Sequence, residues 1–285
     1  MPELPEVQTT VNGLNKRVKG RKIVAVKTSY NSLHHAGKDN IKNQKFFKLF
    51  QKRVRGRKII KAERRAKNIL IHLSGGETVL IHMKMTGHFV YDRPDYPFTR
   101  LNFKLDNGKY LSLSDMRKFA KVTIFPTSQL ENSLHLKNLG PEPLHKKFQF
   151  PQFKSQILKR PNGKIKQVLL DQGLISGIGN IYADEILWRA GVHPLSKAGK
   201  IPEKTLKEMF RAMKMLLTKG VSLGGDSMSD YRNIAGGKGK FQEHHRAYQR
   251  TGLSCDKVGC RGHIRRTLVG ARSAHFCDRH QKLYK

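Results

Sequence analysis

The hydrophobic pattern of the chain changes at residues 138–144, and this change constrains the fold more than any other feature. The segment holds two prolines and one glycine in seven residues, and both residue types interrupt helices and strands. Before it, short β-branched and aromatic runs alternate with turns such as Asn107-Gly108, whereas after it apolar residues recur every three or four positions. We therefore expect a β-rich N-terminal part and a helical C-terminal part.

The N-terminal part is predicted to be an antiparallel β region that follows one helix. Apolar residues at helical spacing mark this helix, and Gly20 suits its end. Residues 30–56 are basic and less regular, although their phenylalanines suggest contact with a core. Strand-like runs lie at residues 23–26, 59–62, 69–73, 79–83, 101–105 and 110–113. Short strands in such close succession indicate a two-layered sandwich or a barrel.

The C-terminal part is predicted to be helical and to end in strand-like pairs. Helical spacing is found at residues 153–158, 165–170, 181–190 and 202–219. The predicted division is a domain at 1–137, a linker at 138–147, a helical domain at 148–250 and a hairpin segment at 251–285.

The chain is strongly basic, with 56 Lys and Arg against 21 Asp and Glu, a formal net charge of +35. A polyanionic partner such as nucleic acid is expected, although a ribosomal or membrane-surface protein would also be basic. No apolar run is long enough to span a membrane, and no secretory signal region is apparent. Three clustered cysteines argue against a disulfide scaffold and suit a reduced cytoplasm.

The chain opens with Met1-Pro2-Glu3-Leu4-Pro5-Glu6, which offers a possible nucleophile. Removal of Met1 would leave Pro2 with a free secondary amine. The pKa of an α-amino group is about 8, against about 10.4 for lysine, so a much larger fraction of the α-amino group is unprotonated at neutral pH. Glu3 stands beside it, where a carboxyl group can move protons. The alternative is that the prolines and glutamates only begin a helix.

Two further motifs predict anion and metal binding. Gly177-Ile178-Gly179-Asn180 precedes a helical run, where Asn180 suits the N-cap and the free amides suit a phosphate. Near the end, Cys255, Cys260, Cys277 and His280 have a spacing close to that of structural zinc sites. The first pair is separated by four residues rather than two, and a histidine takes the fourth place. His263 and His275 are alternative fourth ligands.

The N-terminal Pro-Glu motif, the Gly177–Asn180 motif and the terminal cysteine cluster together resemble the formamidopyrimidine-DNA glycosylase/endonuclease VIII (Fpg/Nei) family. They occur in the same order as in that family, and the resemblance covers essentially the whole chain. Leu4 is typical of the Fpg branch. The resemblance implies an α+β fold: an N-terminal two-layered antiparallel β-sandwich with flanking helices, then a helical helix–two-turn–helix domain with a zinc-finger β-hairpin. It also implies one structural Zn²⁺, held by the Cys3His set.

The resemblance implies a bifunctional DNA glycosylase and abasic-site lyase that excises oxidised purines, 8-oxoguanine and formamidopyrimidines, in base-excision repair. Pro2 would attack C1′ to form a Schiff base, Glu3 would assist by proton transfer, and β- and δ-elimination would follow. Lys67 would join Pro2 and Glu3 in the catalytic set, where it contacts the damaged nucleotide and its phosphate. Asn180 and Arg272 would also contact phosphates, and Arg272 would be the proton donor for δ-elimination. Without the resemblance, Lys67 would be interpreted as part of a solvated basic turn.

Met85, Arg117 and Phe119 would fill the gap left by the flipped-out nucleotide, since apolar wedges replace lost stacking. Taken alone, Met85 and Phe119 could equally be core residues. Met116 and Ala120 stand where the family often has Pro and Gly.

Two more positions carry open interpretations. The glycine-rich residues 224–240 would close over an everted 8-oxoguanine, or would be a flexible linker. Glu185 would orient either the phosphate-contacting region at Asn180 or the Pro2 region, or would be an exposed helix carboxylate.

The expected partner is double-stranded DNA with oxidised bases or abasic sites, bound by a monomer in a bacterial-type cytoplasm and associated with the nucleoid. The alternatives are an endonuclease VIII-like glycosylase for oxidised pyrimidines and a non-catalytic nucleic-acid-binding protein.

Overall fold

The computed structural model describes residues 1–31 and 35–285, which form two compact units. The sandwich unit comprises Met1–Lys137 and Leu223–Lys240, and the helical unit comprises Asn138–Ser222 and Phe241–Lys285. The domain bounds drawn from the sequence stay a prediction.

Among its described residues, the sandwich unit contains two α-helices and two four-stranded antiparallel sheets. One sheet has the order β1-β6-β7-β5 and the other the order β2-β3-β4-β8. The elements are α1 (Leu4–Arg17), β1 (Ile23–Thr28), α2 (Gln44–Val54), β2 (Ile59–Arg65), β3 (Asn68–Leu73), β4 (Glu77–His82), β5 (His88–Tyr91), β6 (Thr99–Leu105), β7 (Tyr110–Ser114) and β8 (Lys121–Pro126). Both sheets and both helices contribute to a single hydrophobic core, so the predicted sandwich is confirmed.

Helix α1 lies against β2, as its stripe of apolar residues requires. Val7, Val11 and Leu14 recur at helical spacing and are buried in the core. The Asn15 side chain bonds both peptide groups of Ala62 in β2, with N–H···O and O···H–N distances of 2.8 Å. The helix is thereby fixed to the sheet by its apolar face and by one amide.

The prediction of a single helix before the β region is wrong, because α2 is a second one. Its buried residues Phe46, Phe50 and Val54 lie four positions apart, and the Asn43 side chain caps its first turn. Lysines between these positions hide the period in a strongly basic stretch. Strands β5 and β8 were also missed.

The helical unit contains four α-helices and a two-stranded hairpin. The helical runs predicted at residues 153–158, 165–170 and 181–190 lie within these helices, and the run at 202–219 begins one residue before its helix. The elements are α3 (Phe150–Leu158), α4 (Ile165–Leu170), α5 (Asn180–Ala190), α6 (Glu203–Ser222), β9 (Ile264–Val269) and β10 (Arg272–Cys277). None of the described helices combines the length and the apolarity needed to cross a membrane.

Candidate functional site

The start of α1 is buried and built from two glutamates. Pro2 and Glu3 are buried, whereas Met1 is 36% exposed. The Glu6 carboxylate accepts the Glu3 N–H at 2.7 Å, and the Glu3 side chain accepts the N–H of Glu6. This reciprocal capping box satisfies the first amides of the helix. It fixes Glu3 beside Pro2, and both the helix-start interpretation and the catalytic one are compatible with it.

Glu6 was not predicted as a site residue, yet it joins α1 to the glycine-rich segment 223–240. Its second carboxylate oxygen accepts the N–H of Asp226 at 2.7 Å, and the Tyr231 hydroxyl donates to its carbonyl at 3.0 Å. Burial, with the charge of Glu3, raises the pKa of Glu6 to about 7. Gly225 has φ +84°, and a Cβ there would lie 2.9 Å from the Glu6 carboxylate. The Glu-x-x-Glu spacing of a capping box is the sequence signal from which the role of Glu6 could have been predicted.

Lys67 lies in the turn between β2 and β3 and is only 6% exposed. Arg64 holds this turn against α1, because it donates to the Gln8 side chain at 3.0 Å and to the Ala66 carbonyl at 2.9 Å. The interpretation of Lys67 as a solvated residue is therefore wrong, although the turn is basic.

Three lysines lie near His82 at the strand ends next to this turn, and we call Lys67, His82, Lys84 and Lys121 the lysine cluster. Burial, followed by the charges of Lys84, Lys67 and Lys121, lowers the pKa of His82 to about 3. The Lys84 N–H donates to His82 Nδ1 at 3.0 Å, which suits a neutral ring. Burial and the charge of Lys121 also lower the pKa of Lys84. An anion such as phosphate would relieve this crowding.

Buried Asp115 joins the loop of Met85 to the loop of Arg117 and Phe119. Its carboxylate accepts a hydrogen bond from the Thr86 hydroxyl at 2.7 Å. The Arg117 N–H in turn donates to Thr86 Oγ1 at 3.1 Å. The structure therefore brings together the loops of all three residues predicted to fill the gap in the duplex.

Arg117 and Phe119 project from this loop as a stacked pair. The guanidinium carbon of Arg117 lies 4.7 Å from the Phe119 ring centroid. Phe119 is 48% exposed, so it is not a core residue, whereas Met85 is half-buried. Ala120, where glycine is frequent in the family, is fully buried with ordinary backbone angles, and its N–H donates to Asp115 at 2.8 Å.

In the helical unit, α5 begins one residue earlier than predicted for its cap. Gly179 is the N-cap and Asn180 is the first helical residue, so the prediction of Asn180 as N-cap is wrong. Gly177 has φ +93°, which a residue with a Cβ rarely adopts. Within residues 1–31 and 35–285, the buried Asn180 Oδ1 has no hydrogen-bond partner. A polar side chain at a helix N-terminus suits contact with a phosphodiester.

Glu185 is buried in α5, which excludes the interpretation as an exposed carboxylate. It accepts the N–H groups of Arg246, Ala247 and Tyr248 at 2.8–3.1 Å. Burial raises its pKa, and these N–H groups oppose that effect. Glu185 therefore holds the chain just before the terminal hairpin.

A buried charge network fixes the hairpin to α4 and α5. Lys166 Nζ lies 2.5 Å from Asp184 Oδ1 and donates to the Ser273 carbonyl at 2.5 Å. The other oxygen of Asp184 accepts the His275 N–H at 3.0 Å and lies 2.9 Å from His275 Nδ1. Arg272, next to this network, is exposed at the hairpin tip.

Cys255, Cys260, Cys277 and His280 form one cluster whose ligand atoms all lie within 4.8 Å of one another. His280 Nδ1 is 3.3 Å from Cys255 Sγ, and Cys260 Sγ is 3.6 Å from Cys277 Sγ. Zn–S bonds of about 2.3 Å in a tetrahedron place two sulfurs about 3.8 Å apart, so the set fits zinc.

Hydrogen bonds and burial distinguish the three histidines considered as the fourth ligand. His280 Nε2 donates to the Trp188 carbonyl at 2.9 Å, which directs the Nδ1 lone pair at the sulfurs. His275 Nδ1 is instead turned to Asp184. His263 is exposed and lies outside the cluster.

Comparison with known proteins identifies the class. The family model for the N-terminal domain of formamidopyrimidine-DNA glycosylase matches residues 1–122, and that for its H2TH domain matches residues 139–232. The chain is 36% identical to the formamidopyrimidine-DNA glycosylase of Heliobacterium modesticaldum, over 99% of this chain and 100% of that protein. It is 38% identical to that of Herpetosiphon aurantiacus, over 97% and 98%.

Solved structures agree. A Lactococcus lactis Fpg mutant in complex with a Fapy-dG-containing DNA matches with a TM-score of 0.87 at 30% identity, over 99% of this chain and 100% of that one. The Fpg protein of Thermus thermophilus matches with a TM-score of 0.83 at 33% identity, over 98% of both chains. The fold is thus that of DNA glycosylases of base-excision repair. The chain belongs to the formamidopyrimidine-DNA glycosylase family, and the predicted family, fold and enzyme class are confirmed.

Proposed function

We propose that this chain excises oxidised purines, 8-oxoguanine and formamidopyrimidines, from double-stranded DNA and then cleaves the strand at the abasic site. The observation that carries the proposal is the buried start of α1, where the capping box of Glu3 and Glu6 fixes a carboxyl group beside Pro2. Removal of Met1 is required, because the Pro2 nitrogen is an amide while Met1 is attached.

The Pro2 amine attacks C1′ of the damaged nucleotide, and the base leaves with the electron pair of the glycosidic bond. Glu3 moves a proton to or from the deoxyribose, whose ring opens to give an iminium. Loss of a proton from C2′ expels the 3′ phosphate, and a second elimination expels the 5′ phosphate. Arg272 is the proton donor in this second step.

Residues of both units bind the DNA. In the sandwich unit, Lys67 and its lysine cluster bind phosphate, while Met85, Arg117 and Phe119 fill the space of the flipped-out nucleotide. Support for this comes from the exposed Arg117–Phe119 pair and the linked loops. In the helical unit, Asn180 and Arg272 contact phosphates.

One Zn²⁺ held by Cys255, Cys260, Cys277 and His280 would stabilise the terminal hairpin. The ligand spacing and the orientation of the His280 ring support this assignment. Because the proposed substrate is chromosomal DNA, we place the enzyme with the nucleoid in the cytoplasm of a bacterial-type cell.

The decisive experiment is borohydride trapping on a duplex with one 8-oxoguanine opposite cytosine, followed by mass mapping of the adduct. We expect a covalent adduct at an N-terminal Pro2. The matched control is the same chain with an uncleaved N-terminal extension, which should give none. Lack of an adduct with this duplex and with an abasic-site duplex would contradict the enzymatic proposal. An adduct only with an oxidised pyrimidine would favour the endonuclease VIII-like alternative.

A further inference from the structure

Lys42 is a buried lysine that none of the roles above uses. It is 5% exposed and immediately precedes Asn43, the N-cap of α2. The Lys42 N–H donates to Asn40 Oδ1 at 3.1 Å. The Ile41 N–H donates to the Val122 carbonyl in β8 at 3.1 Å, so the backbone is fixed here. A buried ammonium group is costly unless acceptors surround it, and the partners of Lys42 therefore indicate its role.

The ammonium group of Lys42 lies against the loop 115–120. Nζ donates to the Lys118 carbonyl at 2.5 Å and lies 5.2 Å from the centroid of the Tyr30 ring. The face of an aromatic ring attracts a cation in this position. Burial lowers the pKa of Lys42, and the charge of Asp115 opposes this effect. The charged end of Lys42 is thus held by a peptide oxygen of the loop and by an aromatic ring beside it.

Lys118 has a backbone conformation that needs support. It is exposed and has φ +57°, in the left-handed region that is unfavourable for a residue with a Cβ. Such conformations persist where surrounding contacts hold them. Arg117 and Phe119 flank Lys118, so its backbone angles set the relative direction of these two side chains, which stack on each other. The hydrogen bond from Lys42 therefore fixes the peptide group that joins Lys118 to Phe119.

Tyr30 supports the same loop at its ends. Its hydroxyl donates to Asp115 Oδ2 at 2.7 Å, and this oxygen also accepts the Ala120 N–H at 2.8 Å. Asp115 and Ala120 are buried, and they enclose the exposed residues 116–119. Lys42 covers the Tyr30 ring and also binds the middle of the loop. One buried lysine thus contacts both the loop and the ring that holds its ends.

We propose that Lys42 is a positioning residue that holds Arg117 and Phe119 in the stacked geometry with which they enter the duplex. This rests on the proposed function, in which the two side chains fill the space of the flipped-out nucleotide. Extruding a base costs stacking and pairing energy, and a pair that is already ordered loses less conformational freedom when it enters the duplex. Lys42 acts through the loop, and the step it serves is base extrusion rather than the bond-breaking chemistry.

The test is a double-mutant cycle on single-turnover excision of 8-oxoguanine opposite cytosine, with the enzyme in excess. Lys42→Met keeps a long side chain but removes the donor. It should slow excision about tenfold, the lower end of what a hydrogen bond from a charged group contributes. Lys42→Arg, which keeps a charged donor, should recover most of the rate. In the loop variant, which carries Arg117→Ala and Phe119→Ala, Lys42→Met should slow excision further by less than about twofold, because no pair remains to be positioned.

Two controls separate positioning from folding. Lys48→Met removes an exposed lysine of α2 and should change excision by less than about twofold. Borohydride trapping on a duplex with a preformed abasic site requires no base to be extruded, so it measures active enzyme and should stay within about twofold in each Lys42 variant. Lys42→Gln, which is shorter and uncharged, replaces Lys42→Met if that variant does not fold.

The same loss in the loop variant as in the wild type, an equal loss in abasic-site trapping, or no loss at all would overturn the positioning role of Lys42 while leaving the glycosylase intact. A loop variant that excises as fast as the wild type would refute the duplex-filling role of Arg117 and Phe119, and the positioning role with it. A wild type that traps nothing on any duplex would instead refute the proposed function.

Discussion

In the helical unit, the buried Lys166 ammonium lies 2.5 Å from the Asp184 carboxylate, and the same carboxylate accepts the N–H of His275. In the sandwich unit, the charges of Lys84, Lys67 and Lys121 instead lower the pKa of the half-buried His82. The first site pairs a buried ammonium with a carboxylate, and the second brings several lysines close to one histidine. The pair can hold a structure without a ligand, whereas we expect an anion such as a phosphate to stabilise the lysine cluster.

From this difference we expect the charged residues of α5 to stabilise the fold and the lysine cluster to bind DNA. Asp184 and Glu185 are consecutive residues of α5, and each accepts backbone N–H groups from the C-terminal segment that contains the hairpin. They fix the frame from which Arg272 projects. We expect the lysine cluster to contribute to DNA affinity instead.

The largest expected effect is on the buried pair. Asp184→Asn leaves the Lys166 charge buried and uncompensated, so the free energy of unfolding should fall by about 3–5 kcal/mol. The measurement is denaturant unfolding of the zinc-loaded protein. The matched control is Glu208→Gln, which removes an exposed ion pair to Arg211 in α6 and should cost less than about 0.5 kcal/mol. Similar losses in both variants would contradict the scaffold role.

The second prediction concerns pH in the lysine cluster. The folded-state pKa of His82, about 3, lies below its unfolded value of 6.5, so the folded state favours the neutral ring. This contribution to stability is present above pH 6.5 and is lost as pH falls toward 3. Between pH 7 and pH 5 the wild type should lose about 2 kcal/mol that His82→Asn does not lose.

The control for this prediction is His145→Asn. His145 Nδ1 accepts the N–H two residues ahead, as His82 does, but it is exposed. Its replacement should leave the pH dependence of unfolding unchanged. If both variants flatten the dependence equally, the burial of His82 is not its cause.

The sequence predicts features that depend on local spacing. Helix periods, the Asn107-Gly108 turn between β6 and β7, and the Cys3His quartet all follow from neighbours along the chain, and the structure contains each of them. Helix α2 was missed although its apolar residues recur every four positions, because basic residues on its other face dominate the composition.

The residues that sequence analysis missed have partners far away in the chain. Glu6 binds Asp226, which is 220 positions distant, and Tyr30 donates to Asp115 across 85 positions.

The third prediction addresses the lysine cluster as a phosphate site. Lys67→Met should reduce affinity for duplex DNA and lower the slope of log affinity against log salt by about 0.9, the worth of one released counterion. Fluorescence anisotropy between low and high salt measures this slope. Lys204→Met, which alters an exposed lysine of α6, provides the comparison. Equal changes in slope would mean that affinity depends on total charge rather than on this cluster.

The smallest expected effect is at the hairpin tip, where the proposed proton donor Arg272 is exposed. Arg272→Lys keeps the charge but loses the planar fork that binds phosphate through two bonds. Base excision should therefore change less than about threefold, while the β-elimination product accumulates several-fold over the δ-elimination product on a denaturing gel. Arg266→Lys, on the exposed face of the same hairpin, should leave the product ratio unchanged. If Arg266→Lys shifted the ratio equally, the loss of any guanidinium from the hairpin, rather than of Arg272 in particular, would alter the second elimination, and the network around Asp184 would serve stability alone.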